Sequence, residues 1–183
     1  MLKNMSVASK IILGFSLLII LMIFIGVVGL LGLNKQHAVV SELTHGTLKY
    51  SIQLTEIHEK VGDLRRYEKD LFLNFSDAKK VDEYNEKWQK TFSAAQSGLD
   101  DAKKLANTEQ QAKIATLISS MALYLDGVNA TLSDIKANKF TSASEINHAF
   151  GKYKTPIRTM SDTLDELADT ALKEVNTIDE QLD

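Results

Sequence analysis

Apolar side chains recur at alternating steps of three and four in four consecutive segments of this chain. The first stripe runs from Val40 to Phe75 through Tyr50, Leu54, Ile57, Val61, Leu64, Glu68 and Leu71. The second passes through Val81, Tyr84, Trp88, Phe92, Ala95, Leu99, Ala102 and Leu105, and the third through Ile114, Leu117, Met121, Leu125, Val128, Leu132 and Ile135. The fourth runs from Ile146 to Leu182 by way of Phe150, Tyr153, Ile157, Met160, Leu164, Leu167, Ala171 and Val175. That period gives each segment one apolar face along a helix. One proline, Pro156, and nine glycines leave few places to turn, so the helices are expected to be long.

The breaks between stripes carry helix-stop and helix-start chemistry. Ser76 offers an N-cap after Asn74, Thr108 with Gln111 reads as a capping box, and Ser142 with Glu145 reads as a second. Asn107 and Asn138 suit left-handed C-terminal positions. The expected helices cover residues 35–75, 77–107, 109–138 and 143–183. Short loops make successive helices antiparallel neighbours. The expected fold class is therefore all-α, with an up-down-up-down four-helix bundle. Pro156 falls inside the fourth helix, where a missing backbone N–H predicts a kink or a tolerated bend.

Ahead of the bundle, Ile11 to Asn34 carries no ionisable side chain. At about 1.5 Å per residue, residues 11–33 are long enough to cross a hydrocarbon core. The run is too long for an ordinary cleaved signal peptide and lacks a clear small-x-small site, so it reads as a signal anchor. Lys3 and Lys10 precede it and Lys35 follows. This bias puts residues 1–10 in the cytoplasm and residues 34–183 outside a bacterial inner membrane. Gly26, Gly29 and Gly32 form either a groove for another membrane helix or glycines that an apolar helix tolerates.

Beyond residue 33 the chain holds 19 basic and 24 acidic side chains, a net of −5, which argues against nucleic-acid binding. The absence of cysteine excludes disulfides, thiolate metal sites and thiol nucleophiles. His37, His45, His58 and His148 lack metal-ligand spacing, so no metal or cofactor is expected. No phosphate loop, nucleophile elbow or HExxH motif is present, so an enzyme is not expected.

A short basic tip and one span, Met1–Leu33, followed by four helices, resembles the sensor region of methyl-accepting chemotaxis proteins. Arg65-Arg66-Tyr67-Glu68-Lys69-Asp70-Leu71-Phe72-Leu73-Asn74 resembles a motif near the distal end of the first sensor helix in that family. The resemblance implies a homodimer that binds a small organic acid or amino acid in its distal half and signals by a small axial shift of the last helix. The long return helix favours a piece of a longer receptor, the alternative being a complete chain that lacks a second span. A histidine-kinase sensor region and a membrane-anchored structural dimerisation bundle are the alternatives.

Aligning the two distal turns, at Ser76 and Ser142, brings residues 65–69 level with 149–153. Arg65, Arg66 and Lys69 then face the level of Lys152, Lys154 and Arg158. Guanidinium groups match carboxylates as rigid forks. The resemblance adds Tyr153, Thr155 and Thr159 to Arg65, Arg66 and Arg158 as matching ligand-site positions. The competing expectation is that these cations are solvated or pair with Glu68, Asp70 or Asp162. Glu68 lies on the core stripe, where a carboxylate needs a partner. It is expected either to pair with Arg65 in a polar layer or to drift to water. A purely structural bundle would gain stability from leucine at that layer.

Overall fold

The computed structural model describes residues 6–42 and 46–179. Leu182 and His45 lie outside the described residues, as does the end of the fourth expected helix. The apolar run forms helix α1, Val7–Glu42. Every side chain from Ile11 to His37 is exposed. The helix is long and apolar enough to cross a membrane. Added Cβ atoms at Gly26, Gly29 and Gly32 would meet open space, leaving that face free for close approach.

Four rods follow. They are α2, Leu48–Leu73; α3, Ala78–Leu105; α4, Thr108–Lys136; and a composite fourth rod. Helix α2 packs on α3, α3 on α4, α4 on α6, and α6 returns to α2, which closes an antiparallel bundle. No strand occurs among the described residues. The sequence stripes form the core: Tyr50, Leu54, Ile57, Leu64, Trp88, Leu99, Ile114, Leu117, Ile146 and Leu164 are all essentially buried.

The fourth rod departs from the expected single helix. It is α5, Ala143–Ala149, then a 3-10 turn, Phe150–Tyr153, then α6, Lys154–Asp179. Pro156 explains the restart. It has no N–H to donate and its ring crowds the carbonyl four residues back, so it is best tolerated in a first turn, where it stands in α6. The tighter turn replaces the expected kink. The first bundle helix also differs from 35–75, because α1 continues from the apolar run to Glu42 and α2 begins at Leu48.

The caps shift by one residue. Asp77, not Ser76, caps α3 and accepts from the N–H groups of Lys79 and Lys80. Asn107 takes an extended conformation rather than a left-handed one and forms the capping box of α4 with Gln110, not Thr108 with Gln111. An amide or carboxylate one position away reaches the free N–H groups as well as a hydroxyl does, so the sequence offered two equivalent starts. Asn138 does adopt the left-handed conformation, with φ of 53°. Ser142 caps α5, while Glu145 reaches back to the Thr141 N–H instead of closing the box on Ser142.

Gly127 lets the fourth rod approach α4. A Cβ there would lie 2.5 Å from Cγ and 2.7 Å from Cβ of Tyr153, atoms that cannot swing aside as a flexible tip could. Overpacking of this kind costs about 1–3 kcal/mol, against about 1 kcal/mol regained from helix propensity. Gly127→Ala is therefore expected to lower the midpoint of thermal unfolding followed by circular dichroism, despite placing a better helix former in a helix.

Candidate functional site

At the height of the 3-10 turn an aromatic layer fills the bundle. Trp88 stacks on Phe92 with centroids 5.2 Å apart and lies 5.6 Å from Tyr124. Phe150 makes edge contacts with Phe72 and Tyr124 at 5.1 and 6.0 Å. Into this layer projects the carboxylate of Glu68, 2 % exposed. The Tyr124 hydroxyl donates to Glu68 Oε2 at 2.7 Å, and Lys69 Nζ donates to Oε1 at 2.9 Å. Helix α2 thus reaches across the core to α4, which is not one of its packing neighbours. Burial first, then the Glu68 charge and the hydrogen bond to it, hold the Tyr124 phenol far above the usual tyrosine range.

The expected pairing of Glu68 with Arg65 is replaced by these two contacts. Glu68 points inward and Arg65 is exposed, whereas Lys69 wraps back to the carboxylate. The polar layer itself is present, and Glu68 does not reach water.

The layer opens on one side into a cavity between α2 and the fourth rod. Its volume is about 260 Å³, and Arg65, Glu68, Lys69, Asn147, Lys154, Ile157 and Arg158 line it. Asn147 Oδ1 accepts from both Lys69 and Lys154 at 2.9 Å and so ties α2 to the start and restart of the fourth rod. Four cationic side chains meet one carboxylate here. Among the described residues, Arg65 and Arg158 form no ion pair, with Asp70 and Asp162 or any other acid.

The other expected site residues lie elsewhere. Arg66 turns away to Asp63 at 3.1 Å and to the Tyr67 hydroxyl at 3.1 Å. These contacts, led by the Tyr67 hydrogen bond, hold its guanidinium above its ordinary value. Tyr153 packs on Phe150 and Gly127 as part of the core edge. Lys152 sits over the Tyr153 ring at 4.9 Å. Thr155 is exposed, Thr159 is half-buried, and neither lines the cavity. The height alignment was sound, since it brought together Arg65, Lys69, Lys154 and Arg158. It could not say which flank of each helix faced the other.

Residues 4–183 match the family model for a four helix bundle sensory module for signal transduction. The chain belongs to that family. The sensory module therefore has the fold that the resemblance to methyl-accepting chemotaxis proteins implied. No curated protein and no solved structure matches it.

Proposed function

We propose that this sensory module is the extracytoplasmic ligand-sensing region of a bacterial chemoreceptor-like transmembrane signal transducer. It binds a small carboxylate-bearing molecule, an organic acid or an amino acid, in the cavity between α2 and the fourth rod. The observation that carries this reading is the convergence of Arg65, Lys69, Lys154 and Arg158 on one cavity beside the buried Glu68. Arg65 and Arg158, which form no ion pair among the described residues, supply planar donors from opposite walls. The cavity volume lies at the small end for ligand sites, which suits a metabolite.

A carboxylate held between Arg65 and Arg158 draws α6 toward α2, and the 3-10 turn just ahead of α6 gives the rod somewhere to yield. The signal travels down α6 toward the membrane as a small axial displacement, and the module works as a homodimer that binds without turnover. Lys3 and Lys10 favour a cytoplasmic N-terminus and an outward-facing bundle in the inner membrane.

Titration calorimetry of the full chain in detergent micelles, against a panel of carboxylates and amino acids, tests the reading. At least one member should bind, and Arg158→Ala should weaken it by roughly tenfold or more, the loss expected for a charge-assisted hydrogen bond. No heat from any member, or binding that Arg65→Ala and Arg158→Ala leave unchanged, overturns it.

A further inference from the structure

A second cavity, of about 600 Å³, opens at the other end of the bundle, where the start of α2, the α3–α4 turn and the last turns of α6 meet. Its lining includes Tyr50, Leu105, Asn107, Gln110, Lys173 and Glu174. Two features there are left over from folding. Tyr50 is 2 % exposed, yet its hydroxyl has no hydrogen-bond partner among the described residues. Leaving such a group unsatisfied is costly unless something else satisfies it. Glu174 is half-buried and has no ion pair among the described residues. Its only partner there is the Gln110 amide, which donates to both carboxylate oxygens at a long 3.3 Å. The Gln110 carbonyl oxygen is already used on the Asn107 N–H, so this side chain has little more to give.

We infer that the membrane-proximal cavity is a second binding site, for a small organic ammonium. Its cationic head would donate to Glu174 and to the free lone pairs of Tyr50, with its alkyl part against Leu105. A carboxylate beside an unspent hydroxyl oxygen is suited to a cation that carries N–H donors. The volume exceeds what a bare metal ion would fill. Burial first, and then the Glu174 charge, keep the Tyr50 phenol protonated and so preserve the uncharged wall. The site joins α2 and the α3–α4 turn to the end of α6. An occupant would therefore brace the same helix that the distal cavity acts on. That coupling rests on the proposed function, whereas the binding itself does not.

The test uses the full chain in detergent micelles, with putrescine, ethanolamine and n-butylammonium titrated by calorimetry and potassium chloride at equal ionic strength as control. At least one ammonium should bind. Glu174→Gln should weaken it by roughly tenfold or more, and Arg158→Ala should leave it unchanged. Tyr50→Phe should weaken binding several-fold while raising the thermal midpoint of the ligand-free protein, because it removes an unsatisfied buried hydroxyl. A purely structural role would not produce that opposition. Absence of binding at millimolar ammonium, an equal response to potassium chloride, or affinity indifferent to Glu174→Gln overturns the inference. Loss of carboxylate binding elsewhere would leave it standing.

Discussion

Trp88→Ala is expected to destabilise the bundle by about 3–5 kcal/mol, the range for deleting a large buried aromatic side chain. Trp88 is fully buried and forms the floor of the aromatic layer, touching Phe92 and Tyr124. Its removal leaves a cavity that four packed rods cannot close by moving one of them. For a domain of this size the thermal midpoint should fall by roughly 10–20 °C. Circular dichroism and intrinsic tyrosine fluorescence would follow the loss. A change of only a degree or two would mean that the aromatic layer is not the mechanical centre of the bundle.

The second large effect concerns the Glu68–Tyr124 bond. Tyr124→Phe leaves a buried carboxylate one hydrogen bond short and is expected to cost about 1.5–3 kcal/mol at neutral pH. Adding Glu68→Leu to it should recover most of that loss, because replacing both partners by apolar groups is often neutral or stabilising. The doubly substituted bundle should be stable but should bind carboxylates poorly, having lost one of the two groups, Glu68 and Asn147, that hold Lys69 at the cavity. Stability and ligand affinity would then move in opposite directions, the behaviour of a polar layer retained for binding. Equal loss of both would mark the layer as structural.

The same hydroxyl shapes the alkaline limit. Burial pushes Tyr50 up to about 12, with help from Glu174, and Tyr124 is held protonated well beyond the usual range. In the unfolded chain these phenols release their protons near pH 10. Above that pH the folded state binds more protons than the unfolded state, so stability falls as pH rises, by about 1.4 kcal/mol per pH unit for each such tyrosine. The contribution is fully present below about pH 10, and the Tyr50 share is gone near pH 12. Tyr124→Phe should flatten this slope.

The apolar period made the bundle legible because a helix that buries one face must repeat it, and a bundle this size has no other way to cover four faces. Boundaries were less legible. Asp77 and Ser76, or Asn107 and Thr108, offer neighbouring caps of similar strength. Pro156 showed that the fourth rod was disturbed, but not that the helix would restart two residues ahead of it. At the site, Tyr124 was missed because Leu125 fitted the stripe after a step of four from Met121. A step of three lands on Tyr124, which is the buried residue. Asn147 gave no local signal. It matters only because it stands level with Lys69, as the alignment of the distal turns could have shown. Arg66 was included because sequence adjacency to Arg65 says nothing of which flank of α2 it occupies.

The chain contains three arginines, Arg65, Arg66 and Arg158, and this permits a direct measurement of whether the cavity between α2 and the fourth rod is the carboxylate site. Their side-chain N–H resonances can be followed by nuclear magnetic resonance in the nitrogen-15-labelled full chain during titration with a binding carboxylate. Arg65 and Arg158 should move together along one saturating curve while Arg66, held by Asp63 and Tyr67, stays in place. Movement of Arg66 alone, or saturation of the protein with all three resonances unmoved, would contradict the account.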